Sequence, residues 1–116
     1  MHKLLILILP TGDPGFDDLW PGFLHAAERI PGLRREATSR VSQLLFGDLR
    51  CQMIHELFFD TLADLENGLD SPEGQHAGQL LQQITGGRMV LLLAEHTEDD
   101  IEHLRQFQGA SGTGEA

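Results

Sequence analysis

The sequence has few basic residues, one cysteine and no apolar run long enough to cross a bilayer. Eight Lys plus Arg against 18 Asp plus Glu give a formal net charge of −10. This charge repels phosphate backbones and anionic lipid, and so argues against a nucleic-acid or membrane-surface role. Cys51 has no partner for an intramolecular disulfide, as is usual in a reducing compartment. The apolar run of residues 4–9 ends at Pro10 and is not followed by a signal-peptide cleavage site, so we expect a cytoplasmic protein.

The motifs of several enzyme classes are also missing. Gly86 and Gly87 belong to neither a dinucleotide-binding fingerprint nor a P-loop, because no strand leads into them and no Lys-Ser/Thr pair follows. There is no Gly-x-Ser-x-Gly elbow, and nothing in the sequence around Cys51 argues for an activated thiol. The six histidines do not have metal-ligand spacings. We therefore expect no metal and no tightly bound nicotinamide or flavin cofactor.

What remains is the composition of an ordinary globular protein. A chain of 116 residues with 41% hydrophobic and 22% charged residues is long enough for one domain. Residues 97–116 are first acidic and then rich in glycine. We predict one folded domain over residues 1–96, followed by a partly disordered tail over residues 97–116.

The hydrophobic pattern predicts the order β-α-β-β-α-β. Strands are expected over residues 3–9, 33–41, 52–59 and 88–95, and helices over residues 16–29 and from 61 to 85, with a second start at Ser71. Pro21 predicts a break, a kink or a late start in the first helix. Right-handed crossovers then give an α+β, ferredoxin-like fold with both helices on one face of a four-stranded antiparallel sheet. The first and third strands are central in this arrangement.

The first and last strands are apolar on both faces, although the helices can cover only one face of the sheet. About half a dozen large aliphatic side chains would face the uncovered side, and burying each is worth roughly 1.5–3 kcal/mol. A second copy related by a two-fold axis would bury them. We therefore predict a homodimer that packs through the helix-free sheet face.

Two polar residues in the third predicted strand are candidates for proton transfer. His55 and Glu56 are neighbours, so one must face the helices and the other the dimer side. A polar group in a buried strand is costly unless it is paired, and such groups often serve as acids or bases. The alternative is a structural ion pair between Glu56 and an arginine of the preceding strand, which would only fix the register. The arginines of that strand are Arg34, Arg35 and Arg40.

A histidine on the first helix is a further candidate. His25 follows Trp20 and Phe23, and it would share an aromatic pocket with Phe58 or Phe59 if it turned toward the sheet. The alternative is a half-exposed histidine without a partner. We expect a cavity between helices and sheet lined by Trp20, His25, His55, Glu56 and Phe59. The candidate catalytic residues are thus His25, His55 and Glu56, and the candidate pocket residues are Trp20, Phe23, Phe58 and Phe59.

Short segments spread over residues 3–96 carry a family resemblance. They are Phe16-Asp17, Ile30-Pro31-Gly32-Leu33-Arg34-Arg35, Ser39-Arg40-Val41, Glu56-Leu57-Phe58-Phe59-Asp60, Leu69-Asp70-Ser71-Pro72-Glu73-Gly74-Gln75 and residues 91–95. In this order and spacing they resemble the EthD family, small proteins named after a component of ethyl tert-butyl ether degradation. The resemblance implies a ferredoxin-like fold and a dimeric α/β barrel.

The resemblance implies less about chemistry. Members of the family often carry a His-x-Pro-Leu segment, and either His25 or Leu24 occupies the position of its histidine here. We expect a protein that binds or transforms a small apolar organic molecule in a catabolic or oxidative pathway. The alternative is a non-catalytic ligand-binding or interaction module, for which the apolar segment Leu44-Leu45-Phe46 would be the contact. Whether the protein is an enzyme stays open.

Overall fold

Seven helices and strands follow one another in residues 1–102, the part of the chain that this computed structural model describes. They are β1 (His2–Ile8), α1 (Phe16–Ala27), β2 (Leu33–Arg40), β3 (Met53–Phe59), α2 (Leu62–Asp70), α3 (Pro72–Thr85) and β4 (Met89–Glu95). The strands form one antiparallel sheet in the order β2-β3-β1-β4. The ferredoxin-like α+β fold is thus confirmed, with β1 and β3 in the centre. Of the tail expected over residues 97–116, the part beyond residue 102 lies outside the described residues.

Two capping residues divide the second helical region into α2 and α3. The Thr61 hydroxyl accepts a hydrogen bond from the backbone N–H of Asp64 at 3.0 Å and begins α2. The Ser71 hydroxyl accepts one from the N–H of Gly74 at 3.0 Å, and Pro72 occupies the first turn of α3. Because proline favours the first helical turn and a capping serine favours a new start, the chain begins a second helix here.

Two of the three alternatives predicted at Pro21, a break and a late start, do not occur. α1 begins at Phe16 and continues past Pro21 without a break or a late start. Its buried face includes Trp20 and Phe23, which pack on the sheet and hold the helix in place despite the missing backbone donor.

Among the helices of residues 1–102, none is both long and apolar enough to cross a membrane.

The register of β1 separates the two faces of the sheet. Leu4, Ile6 and Ile8 are buried in the core under the helices, whereas Leu5 and Leu7 alternate with them and face the other side. The core also contains, from the other elements, Phe16, Trp20, Phe23, Ile30, Met53, Leu57, Phe59, Leu65, Leu81 and Ile84. The side of Leu5 and Leu7 is the helix-free face.

The edge strand β4 is less covered than its pattern predicts. Leu91 and Leu93 lie opposite Ile6 and Leu4, so they are on the helix side, yet they are 48% and 52% exposed. Leu92, on the helix-free face, is 47% exposed. The expectation that the helices cover one face of this strand is wrong for Leu91 and Leu93, because the helices leave these two side chains about half exposed, whereas Met89 packs against the core.

The residues that follow β4 lie across one end of the helix-free face. The His96 ring packs edge-on against Phe58, with ring centroids 4.9 Å apart, and its Nε2 lies 2.7 Å from a carboxylate oxygen of Glu98. Arg35 on β2 also reaches Glu98, and its guanidinium lies 4.0 Å from the centroid of the Phe58 ring. The hydrogen bond from His96, the charge of His96 and the charge of Arg35 lower the pKa of Glu98. A depressed carboxyl pKa means that this contact is present near neutral pH and is lost as the pH falls through it.

A close approach at Gly68 gives a test of the packing between α2 and the sheet. A Cβ atom at Gly68 would lie 2.7 Å from the carbonyl oxygen of Pro31 and 3.0 Å from the Phe59 ring. We expect Gly68→Ala to lower the free energy of unfolding by about 1–3 kcal/mol, because the backbone of the turn must move. Urea unfolding followed by circular dichroism measures it.

The control is Gly22→Ala in α1, where a Cβ meets no atom within 4 Å. Alanine favours a helix over glycine, so this variant should unfold at the same or a higher urea concentration than the wild type. Equal stability of Gly68→Ala and Gly22→Ala would contradict the close approach of α2.

Candidate functional site

A buried histidine with two hydrogen-bond partners lies between α1 and the sheet. His55 on β3 is 1% exposed. Its Nε2 lies 2.8 Å from Oε1 of Glu36, and its Nδ1 lies 2.8 Å from Oγ1 of Thr38. The rings of Trp20 and Phe23 pack edge-on against the imidazole, at centroid distances of 5.3 and 5.9 Å. Two polar and two aromatic side chains therefore surround His55.

The pairing of β2 with β3 brings these polar groups together. Thr38 lies directly opposite His55, and Glu36 lies opposite Leu57, so both β2 side chains are on the same face as the imidazole. Because β2 is an edge strand, Thr38 is exposed and the Glu36 side chain is 18% exposed. The cluster thus extends from a fully buried ring to the edge of the sheet.

The hydrogen-bond pattern fixes how protons are arranged in this cluster. A carboxylate only accepts hydrogen bonds, so Nε2 of His55 donates to Glu36. In the neutral imidazole, Nδ1 then accepts from the Thr38 hydroxyl. Hydroxyl, imidazole and carboxylate form a hydrogen-bonded chain of the kind that can carry a proton between the sheet edge and the buried ring.

The second polar residue predicted from β3 is on the opposite face. Glu56 lies opposite Leu5 and makes an ion pair with Lys3 of β1, not with an arginine of β2. Phe58 is on this same helix-free face, where Arg35 and His96 pack on it. The expectation that Glu56 shares a helix-side cavity with His55 is therefore wrong, since strand alternation separates them.

The histidine of α1 also lies away from the cluster. The His25 side chain is 80% exposed, and its nearest ionic partner is Glu28 at 4.0 Å. At about 100° per residue, His25 lies about 200° around the helix from Phe23 and about 140° from Trp20, so it points to solvent when they face the sheet. The expectation that it lines the cavity is wrong. Phe59 is fully buried in the core, close to α2 at Gly68.

A cavity of about 260 Å³, which we call the α3 cavity, lies between α3 and the sheet. Its lining includes Leu4, Ile6, Phe23, Leu57, Leu81 and Leu91. Gln75 is the polar side chain of the lining, and no ionisable side chain of the described residues lines it. Phe23 lines the cavity and also touches the imidazole of His55, so its ring separates the two.

A second hollow lies at the connection between β2 and β3. Residues 41–52, here called the arm, are without helix or strand, and Leu45 and Phe46 are 87% and 84% exposed. Together with Pro10 and Ile54, the arm lines an open concavity of about 820 Å³.

Within residues 1–102 there is no group of three His, Cys, Asp or Glu side chains that could hold a metal ion.

Sequence reasoning missed Glu36, Thr38 and most of the α3 cavity. The signal for the first two is their alternation on one predicted strand, which puts both on the same face. The sequence does not determine the pairing register with His55, because the 12-residue arm does not constrain it as a two-residue turn would.

Comparison with known proteins finds similar structures. Neither a protein-family model nor a curated protein matches this chain. An EthD family protein from Bacillus halodurans C-125 is 22% identical, with a TM-score of 0.75 over 84% of this chain and 99% of that chain. A dimeric ferredoxin-like protein of unknown function from Jannaschia sp. CCS1 is 19% identical, with a TM-score of 0.66 over 82% and 98%.

A third similar structure is that of an enzyme. SnoaB, a cofactor-independent oxygenase from Streptomyces nogalater, is 11% identical in its N63A mutant form. Its TM-score is 0.60 over 84% of this chain and 93% of that chain. The chain therefore has the ferredoxin-like fold of these proteins, and its resemblance to the EthD family is confirmed at the level of the fold.

Proposed function

We propose that this protein is a homodimer that binds a compact apolar organic molecule in the α3 cavity. The observation that carries the proposal is the cavity itself, because its lining is apolar apart from Gln75. Concave sites lined mainly by apolar side chains with few polar groups are typical of small-molecule binding. An EthD family protein and a cofactor-independent oxygenase have the same fold, which supports a role with small organic molecules.

The size of the cavity limits the ligand. A volume of about 260 Å³ is below the range of roughly 300–1,000 Å³ that is usual for sites of drug-sized ligands. It suits a single ring or a short branched chain. Gly78 lies on the cavity side of α3, where the absence of a side chain lets a ligand approach the helix, and Gln75 supplies one hydrogen-bonding group.

Filling the cavity gives the sharpest test of binding. Gly78 belongs to the cavity lining, and a Cβ there would meet no atom within 4 Å, so a larger side chain can be placed at the cavity without a clash. We expect a thermal-shift screen of aromatic and lactone compounds to find ligands that raise the Tm of the wild type. At a concentration 100 times its Kd, such a ligand stabilises the fold by about 2.7 kcal/mol. Gly78→Leu should abolish this shift.

The matched control is Gly22→Leu, which makes the same change in α1 at an exposed position outside the cavity lining. It should keep the full ligand-induced shift. If Gly78→Leu binds the same compounds as tightly as Gly22→Leu does, the ligand site is not the α3 cavity.

A second candidate function is catalysis of proton transfer by His55. The chain from Thr38 through His55 to Glu36 favours it, because a single tautomer is fixed and one end reaches the sheet edge. The imidazole adjoins the cavity across the ring of Phe23, so a ligand needs a movement of that ring to reach it. His25 and Glu56 are not brought to this place, and so they are not part of this proposal.

Turnover of the compounds found in the screen separates an enzyme from a binding module. We expect His55→Gln to lower the turnover rate by about 10²–10⁴-fold while leaving the Kd of the ligand nearly unchanged. Glu36→Gln should lower the rate as well, because it removes the negative charge that stabilises the protonated imidazole beside it. His76→Gln, at an exposed position of α3, is the control and should keep the wild-type rate. If no bound compound is converted, the protein is a binding module.

The helix-free face supports the proposed homodimer. Leu5, Leu7, Ile54, Val90 and Leu92 form its apolar part. Exposed patches of this kind mark contact surfaces, and burying each large side chain contributes roughly 1.5–3 kcal/mol. Similar structures from three sources are described as dimeric ferredoxin-like proteins.

Sedimentation at micromolar concentration tests the dimer. We expect a particle of twice 12.9 kDa for the wild type. Leu92→Glu should dissociate it, because the new carboxylate would be buried without a partner. Leu19→Glu, which alters a half-exposed leucine on α1, should leave the dimer intact. A wild-type chain that sediments as a monomer would overturn the dimer.

A further inference from the structure

We propose that the arm of one copy covers the exposed leucines of β4 in a second copy and thereby closes the α3 cavity. The proposal rests on the homodimer and the cavity proposed above. It gives the arm a binding partner, and it means that residues of both chains form the ligand site. Four observations carry it: the exposed apolar side chains, the positions of the two sheet edges, the reach of the arm and the position of Leu91.

Most of the large exposed apolar side chains belong to two groups. The arm carries Val41, Leu44, Leu45, Phe46 and Leu49, and β4 carries Leu91, Leu92 and Leu93. The arm follows β2, which is one edge of the sheet, and β4 is the other edge. One copy therefore has an apolar group at each edge, and the described residues of its own chain cover each group only in part.

Two stacked sheets can be related by a two-fold axis in either of two directions. An axis across the strands places β2 on β2 and β4 on β4, which keeps the arm of each copy away from β4 of the other. An axis along the strands places β2 of one copy over β4 of the other, so each arm lies at the β4 edge of the second copy. The second arrangement brings the two exposed apolar groups together and so buries more apolar surface. The two-fold axis makes the two arm contacts identical, so the assembly is complete with two copies.

The arm is long enough for this contact. About six of its 12 residues lead away from the sheet and about six lead back, so the tip of the extended arm lies at most about 20 Å from its base. Packed sheets are separated by about 10 Å. The arm can therefore pass the edge of the second sheet and reach the helix side of β4, where Leu91 and Leu93 are exposed.

Leu91 connects this contact to the ligand site. It is one of the leucines exposed on β4, and it also lines the α3 cavity. A side chain that covers Leu91 closes the cavity on the β4 side. The ligand is then shielded from water by residues of the other chain, so dimer formation and ligand binding should strengthen each other.

The test removes the apolar tip of the arm. Leu45→Ser together with Phe46→Ser changes two side chains that are almost fully exposed in one chain, so the fold should keep its circular dichroism spectrum. We expect the dissociation constant of the dimer to rise at least about tenfold, because these side chains lose their burial. A ligand found with the wild type should bind at least about tenfold more weakly. Leu19→Ser with Leu62→Ser, which alters two partly exposed leucines on α1 and α2, is the matched control.

Cross-linking identifies the contact. In a Cys51→Ser background, chains with Leu45→Cys are mixed with chains carrying Leu93→Cys and treated with a short bismaleimide. We expect the mixed cross-linked dimer to form faster than either symmetric one. Unchanged dimer affinity in the arm variant, or only symmetric cross-links, would overturn the arm contact while the dimer stands. A wild-type monomer overturns the dimer and the arm contact together, and weaker dimerisation with unchanged ligand affinity overturns the shared ligand site.

Discussion

The pairing of β1 on both of its edges is the constraint on which the structure depends. β1 lies between β3 and β4, and its alternate side chains build the core on one face and the apolar surface on the other. Leu4, Ile6 and Ile8 need α1, α2 and α3 above them, whereas Leu5 and Leu7 need a cover that their own chain does not supply. A strand that is apolar on both faces thus determines both the layer of helices and the need for a second layer.

A polar residue, His55, lies within this apolar arrangement, and both of its ring nitrogens have hydrogen-bond partners. His55 lies on the core face, where an imidazole without partners would be costly. Because β2 is at the edge, Glu36 and Thr38 can approach both ring nitrogens while remaining accessible from outside. The same two hydrogen bonds offset the free-energy cost of burying His55 and also orient its ring. One arrangement therefore serves both stability and chemistry. The α3 cavity has no such polar group beyond Gln75, and this favours binding over chemistry within it.

The sequence predicts the fold well because hydrophobic periodicity and caps are local. The strands, the start at Ser71 and the central position of β1 follow from such patterns. The site is less predictable, because it depends on long-range pairing. Alternation shows that His55 and Glu56 face opposite sides, but only the packing of α1 shows which side is the core. The pairing of Thr38 with His55 crosses the arm, whose length leaves the register open.

The position of β1 also has a consequence for how the chain is made. Residues 2–8 are synthesised first, but their partners on β3 are residues 53–59 and those on β4 are residues 89–95. The central strand therefore waits for nearly the whole domain to be synthesised before its second edge is paired. During that interval a strand that is apolar on both faces is open to other chains. Such non-local pairing slows folding, so this protein should depend on chaperones at the ribosome more than a helical bundle of equal length.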